Sequence, residues 1–321
     1  MSILVNLYKK FLIHRYDDNG YIKYFHSTDF NDLKAEKFCF KSGNNTLVGN
    51  YYYYDGYKDD ELIIFCHGIG GGHRSYMREI EHLCQCGYKV LSYDNTGCFD
   101  SQGESIICIS QSLADLDSAI RTLKSSGEFQ KYKRVHVIGH SWGGFAAGNI
   151  ANYHSDINKI VVISGFVSVE QLIKAFLKGN KGALKKHVFN TIYNFEKDMN
   201  PDYVGSSILD ALKSGNSEFL LAYSKDDPNV PFEYSIKYIN ENFNCENVTQ
   251  LIYEDRKHNP NYTLDAVTYM NDVFGKYKKV SKSIKMKTPE AKKEYFKDVD
   301  WVRMTNQDKD FWKQVCNFLE N

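Results

Sequence analysis

Proline is scarce, charge of one sign is not in excess, and long apolar runs do not occur. Five prolines in 321 residues leave no room for an extended proline-rich linker. Forty Lys and Arg balance forty Asp and Glu. A chain without excess positive charge is poorly suited to neutralise phosphates, so a nucleic-acid partner is not expected. No stretch approaches the roughly 20 apolar residues of a membrane-spanning helix. The apolar start, residues 1–14, is interrupted by Lys9 and Lys10 and has no small-residue cleavage site, so no signal peptide is expected. It reads as a short amphipathic helix packing on the body, and membrane contact is not expected.

Paired-cysteine motifs are also missing. The eight cysteines are scattered, and Cys84-x-Cys86 lacks a second ligand pair. No metal site is expected, and thiols inside apolar runs, such as Cys66, point to a reduced core and a cytoplasmic location.

What is present is ordinary globular composition, 42% hydrophobic and 25% charged, which excludes wholesale disorder. Residues 36–41 and 46–54 flank a Ser-Gly-Asn-Asn turn and read as an antiparallel hairpin. From Glu61 onward, short apolar runs (61–66, 88–93, 135–138, 159–164) alternate with helical spacing (75–86, 109–125, 143–153). This rhythm predicts β-α-β units and a mostly parallel sheet with helices on both faces. It breaks at 166–215, where helical patterns at 169–177 and 183–195 stand without a strand, and it resumes at 218–223 and 248–253. The expected organisation is one α/β domain over 1–321, with 166–215 inserted as a helical cap. An extended C-terminal segment, 276–321, begins with nine lysines between 276 and 297. That stretch reads as a solvated helical or irregular segment. Residues 308–319 read as a last helix with Phe311, Trp312, Val315 and Phe318 inward.

The chemistry-bearing signal is Gly139-His140-Ser141-Trp142-Gly143, placed between a strand and a small-residue helix. A Gly-x-Ser-x-Gly elbow in that setting lifts a serine above the strand ends. Serine needs a base and a group to orient that base. His258 follows the last strand across a short polar turn, on the serine's side of the sheet. The acid belongs at the end of the preceding strand, where Asp226 and Asp227 are adjacent. The order Ser, Asp, His is that of a nucleophile-elbow hydrolase. The run His67-Gly68-Ile69-Gly70-Gly71-Gly72 lets backbone approach a substrate carbonyl. Ile69 and Trp142 are the expected N–H donors of an oxyanion hole.

These residues, with Asp94-Asn95-Thr96-Gly97, Ser101, Gly103 and Asp227–Pro231, resemble the α/β-hydrolases of the serine aminopeptidase and monoacylglycerol-lipase-like group. The resemblance covers roughly 36–260. It implies an α/β-hydrolase fold, a serine hydrolase without metal or organic cofactor, and catalytic Ser141, Asp227 and His258. Asp227 is favoured over Asp226 because the family's acid precedes a Val-Pro by three residues. Two departures stand out. Phe99 replaces a glycine of the family's Asp-x-x-Gly-x-Gly-x-Ser-x-Gly loop, and about sixty residues follow the histidine where relatives have one helix.

The reaction expected first is cleavage of a small-molecule carboxylic ester through an acyl-enzyme. An amidase or peptidase on the same triad is the alternative; a reader of free N-termini would need acids such as Glu170, Glu196, Asp198 and Asp202 facing the pocket. A non-catalytic binding protein on this scaffold is a third reading. Pocket candidates in the cap are Phe166, Leu172, Phe176 and Leu177.

Overall fold

A computed structural model describes residues 2–179, 182–246, 248–283 and 286–321. Its centre is an eight-stranded sheet of order β1-β2-β4-β3-β5-β6-β7-β8. Strands β1 (Lys34–Ser42) and β2 (Asn45–Tyr53) form the antiparallel hairpin, and β2 pairs antiparallel with β4 (Lys89–Tyr93). All other pairings, through β3 (Glu61–Cys66), β5 (Arg134–His140), β6 (Lys159–Ile163), β7 (Glu218–Ser224) and β8 (Thr249–Tyr253), are parallel. The mixed sheet read from the sequence is therefore present.

Strand β3 shows how the sheet is held. Leu62, Ile64 and Cys66 enter one hydrophobic cluster, while Ile63 and Phe65 enter another on the opposite face. Side chains alternate across a strand, so a strand covered on both faces needs an unbroken apolar run. Each such side chain fully buried is worth about 1.5–3 kcal/mol of transfer free energy. The first cluster is closed by α3 (Gln111–Ser125) and α4 (Trp142–Asn149), through Leu113, Leu116, Phe145 and Ala146. The second is closed by α2 (Met77–Gln85) and by the C-terminal helix described below.

Helix α1 (Ile3–Phe11) packs against the segment between β6 and β7. That segment folds as α5 (Val169–Phe176), α6 (Gly182–Met199) and α7 (Ile208–Ser214), with no strand among its described residues. Ser168 caps α5 by accepting from Gln171 N at 3.2 Å. Helix α8 (Ile236–Asn242) connects β7 to β8.

The C-terminal segment is more ordered than its lysine content suggested. Helices α9 (Leu264–Val280), α10 (Pro289–Phe296), α11 (Trp301–Met304) and α12 (Lys309–Glu320) follow in turn. Phe296 is the knot: its ring centroid lies 4.8 Å from Tyr277, 5.9 Å from Phe274, 6.0 Å from Trp301 and 5.7 Å from Tyr21 near the N-terminus. Burial of this one aromatic ties the two ends of the chain together while most of the lysines stay in solvent. One lysine of the run, Lys285, lies outside the described residues. In α12, Phe311, Trp312 and Val315 are buried as expected, but the fourth inward residue is Leu319, and Phe318 is only half-buried. An i, i+4, i+8 spacing from Phe311 selects Leu319 rather than its neighbour.

Candidate active site

Strand β5 runs into Ser141, and α4 begins one residue later. Ser141 adopts φ +57°, ψ −114°, a region costing a non-glycine residue about 1–3 kcal/mol. The surroundings over-determine it: Ser141 N donates to Ile163 O at 2.8 Å, and Ser141 O accepts from Phe145 N at 2.9 Å. The flanking glycines are required by close approach. A Cβ at Gly139 would stand 2.1 Å from Gly143 O, and one at Gly143 would stand 2.1 Å from Cys66 O. The serine hydroxyl thus projects at the strand ends because the turn admits no other packing.

His258 Nε2 lies 2.8 Å from Ser141 Oγ, and His258 Nδ1 lies 2.7 Å from Asp227 Oδ2. The Asp227 side chain is fully buried. Its other oxygen accepts from Asn229 N at 2.8 Å and Val230 N at 3.0 Å, so both oxygens are engaged. Asp226 faces elsewhere. It accepts from Ser224 Oγ at 2.7 Å and Lys257 N at 2.8 Å, and pairs with Lys257 Nζ at 2.9 Å. One aspartate addresses the histidine, and its neighbour fastens the two loops that carry them. A serine, an imidazole and a carboxylate in hydrogen-bond series can move a proton off the hydroxyl.

Ile69 and Trp142 both sit beside this series and line the same cavity. Among the described residues, neither backbone N–H has a backbone acceptor. Trp142 is the first residue of α4, whose leading N–H groups have no partner within the helix. The Gly68–Gly71 loop is steadied by buried His67, which donates from Nδ1 to Gly68 O at 2.7 Å and accepts at Nε2 from Asn95 N at 2.9 Å. Burial lowers the His67 pKa, which keeps the ring neutral as those two bonds require.

The Phe99 departure proves tolerable. Phe99 takes φ +38°, the left-handed backbone a glycine adopts freely. Its ring is covered by the Arg74 guanidinium at 5.1 Å and by the edge of Tyr24 at 4.9 Å. Asp94, at the start of that loop, holds it through His73 Nδ1 at 2.7 Å and Asp100 N at 3.1 Å.

Sequence reasoning missed the parts played by His140 and Leu12, and it assigned Glu196 a place at the pocket that Glu196 does not take. His140 reaches His258: its Nε2 donates to His258 O at 2.7 Å, and its Nδ1 accepts from Tyr76 OH at 2.8 Å. Burial, then the neighbouring His258, lowers the His140 pKa to about 3. Leu12, just past α1, lines the cavity. Glu196 on α6, buried, accepts from Tyr8 OH at 2.7 Å and Ile109 N at 2.8 Å, and burial raises its pKa to about 7. No local pattern flags these residues, because their partners lie in distant parts of the chain.

The cavity holds about 380 Å³ and includes Ser141, His258, Phe166, Leu172 and Phe176. Leu177 is not among its walls; it belongs to the core, 7% exposed. A helix presents i and i+4, here 172 and 176, to one side, and Leu177 turns inward. The four acids considered for a free amino group do not face this space. Glu170 pairs with Lys174 at 2.6 Å, Glu196 is occupied as described, and Asp198 and Asp202 are exposed. Among the described residues, no group of three or more His, Cys, Asp or Glu is arranged to hold a metal ion.

Known proteins resemble this arrangement. The family described as serine aminopeptidase, S33, matches residues 57–258. A 2-hydroxy-6-oxononadienedioate/2-hydroxy-6-oxononatrienedioate hydrolase of Paraburkholderia xenovorans is 30% identical over 118 residues, 36% of this chain and 39% of that one. A proline iminopeptidase of Saccharolobus solfataricus is 24% identical over 217 residues, 65% of this chain and 66% of that one. The chain thus spans about two fifths of the first of these relatives and just under two thirds of the second. Among solved structures, an esterase of Pyrococcus furiosus superposes with a TM-score of 0.59 at 19% identity, over 84% of this chain and 97% of that one. An acylaminoacyl peptidase of Pyrococcus horikoshii gives 0.54 at 14% identity, over 92% of this chain and 42% of that one. At such identities the likeness is one of fold, which is that of the α/β-hydrolases.

Proposed function

This chain belongs to the serine aminopeptidase family, S33, of the α/β-hydrolases, and from that premise we propose that it cleaves carboxylic esters through an acyl-enzyme on Ser141. The observation carrying the reading is the series Ser141 Oγ, His258, Asp227 at 2.8 and 2.7 Å. His258 takes the Ser141 proton as Oγ attacks the ester carbonyl. The oxyanion is received by the N–H groups of Ile69 and Trp142. His258 then passes the proton to the departing alcohol, and a water repeats the cycle on the acyl-enzyme. Asp227 holds the imidazole in the required tautomer and supports its cation.

Helices α5–α7, residues 166–215, act as a cap, and Phe166, Leu172 and Phe176 receive the acyl chain. Esters are favoured over free N-terminal peptides because the cavity walls are mainly apolar and none of Glu170, Glu196, Asp198 and Asp202 is among them. An amidase or peptidase on the same residues is the alternative, supported by the likeness to a proline iminopeptidase. No helix among the described residues is long and apolar enough to cross a membrane. A reducing compartment such as the cytoplasm fits the buried free thiols Cys66, Cys84, Cys98 and Cys108.

A fluorescent organophosphonate should label the protein and spare Ser141→Ala. Equal labelling of both would remove the assignment. Turnover of acyl esters but not aminoacyl amides separates the two substrate classes, and the reverse preference would install the alternative.

A further inference from the structure

A second cavity, of about 330 Å³, adjoins the first and shares Ile69 and Tyr76 with it. One wall is the Gly68–Gly71 loop. The facing wall comes from Met270 and Phe274 on α9 and from Trp301 and Met304 on α11. Those residues all follow position 258, where the family match ends. The cavity comes close to the reacting atoms. A Cβ placed on Gly68, in its wall, would stand 3.3 Å from Ser141 Cβ. Asn259, the residue after His258, lines it as well.

We propose that the C-terminal extension builds a second substrate subsite here, which takes a bulky aromatic leaving group. The proposal rests on the esterase reading above. The carbon attached to Ser141 Oγ has three other substituents in the tetrahedral state: the oxyanion, the acyl chain and the leaving oxygen. The oxyanion faces Ile69 and Trp142, and the acyl chain fills the first cavity. The leaving oxygen must lie where His258 Nε2 can protonate it, beside Asn259. When the carbon–oxygen bond breaks, the electron pair stays on that oxygen, the proton from His258 completes the alcohol, and the alcohol occupies the second cavity.

The lining selects the chemistry. Aromatic rings and methionine thioethers make favourable contacts with flat apolar groups, and the volume lies in the range of small-molecule sites. Two polar neighbours are already spent, Asn259 Nδ2 on Met270 Sδ at 3.7 Å and Thr305 Oγ1 on Trp301 O at 2.7 Å. Ser75 Oγ, buried in the same wall, has no hydrogen-bond partner among the described residues. The rest of the polar lining is Lys23 and the tyrosines Tyr24, Tyr76 and Tyr262, whose rings add to the aromatic surface.

The test compares ethyl acetate with 2-naphthylmethyl acetate, alkyl esters that differ mainly in leaving-group bulk. The wild type should prefer the naphthylmethyl ester in kcat/KM. Trp301→Ala and the space-filling Met270→Trp should each reduce the ratio between the two substrates by about tenfold. The exposed neighbour Val302→Ala should leave it unchanged. A ratio that stays constant in both cavity variants overturns the subsite while leaving the esterase reading intact. If neither ester is turned over, 2-naphthalenemethanol still probes the cavity directly. It should shift the methyl NMR resonances of Met270 and Met304 in the wild type, and no shift overturns the proposal.

Discussion

His140 donates from its ring Nε2 to the backbone carbonyl of His258 at 2.7 Å, so the residue before Ser141 holds the loop that carries His258. Tyr76 OH donates to the other nitrogen at 2.8 Å and leaves the ring one possible tautomer. With its pKa lowered to about 3 by burial and by His258, the His140 ring is neutral throughout the working range. His140→Ala should therefore lower kcat roughly tenfold to a hundredfold by loosening His258. His140→Gln, which can still donate to that carbonyl, should recover much of the loss. The acid limb of the pH profile should remain single in wild type and both variants, since the His140 ring stays neutral across it. A second limb that vanishes on substitution would show His140 titrating and contradict the geometry.

The two aspartates should separate cleanly. Asp227→Asn removes the carboxylate at 2.7 Å from His258 Nδ1 and should cost about 10⁴ in kcat with the fold intact. Asp226→Asn weakens the tie to Lys257 and should cost about 1 kcal/mol of stability and little rate. Steady-state kinetics with urea denaturation on both variants decides it. Exchanged phenotypes would move the acid one residue back.

Glu79 makes stability depend on pH. It is buried under the C-terminal segment, where Asn261 Nδ2 donates to it at 3.2 Å, and burial raises its pKa to about 7. The native state then holds a proton that the unfolded chain, with an ordinary glutamate near 4.5, gives up earlier. Its contribution is complete below about pH 4.5 and is lost as pH rises through about 7. Relative to Glu79→Gln, the wild type should lose on the order of 1–3 kcal/mol between pH 5 and pH 8. Urea titrations at the two pH values measure the difference, and an opposite slope would refute it.

Phe176 is 55% exposed yet lines the cavity that holds Ser141 and His258. Phe176→Ala should shift the preferred acyl length by several carbons and change stability by less than about 1 kcal/mol. Rates over esters of graded acyl length, with melting curves, check both halves. A change confined to the melting temperature would remove Phe176 from acyl selection.

Much of the protein is written locally. The apolar run Glu61–Cys66 is buried at every position because its strand is covered on both faces. The elbow is equally legible, since Gly139 and Gly143 leave no space for a side chain. The fold and the order of Ser141, Asp227 and His258 follow from such signals. They depend on backbone conformation and period, which neighbouring residues determine among themselves.

Tertiary structure decided the rest. Tyr8 meets Glu196 across 188 positions, Tyr76 meets His140 across 64, and Asn261 meets Glu79 across 182. Leu12 becomes a cavity wall, and the C-terminal segment becomes the far side of a second cavity. A single sequence specifies which face of a helix is apolar but not which surface will cover it. That choice belongs to the packing of the whole chain, where distant faces compete to leave water and the best-fitting pairs win.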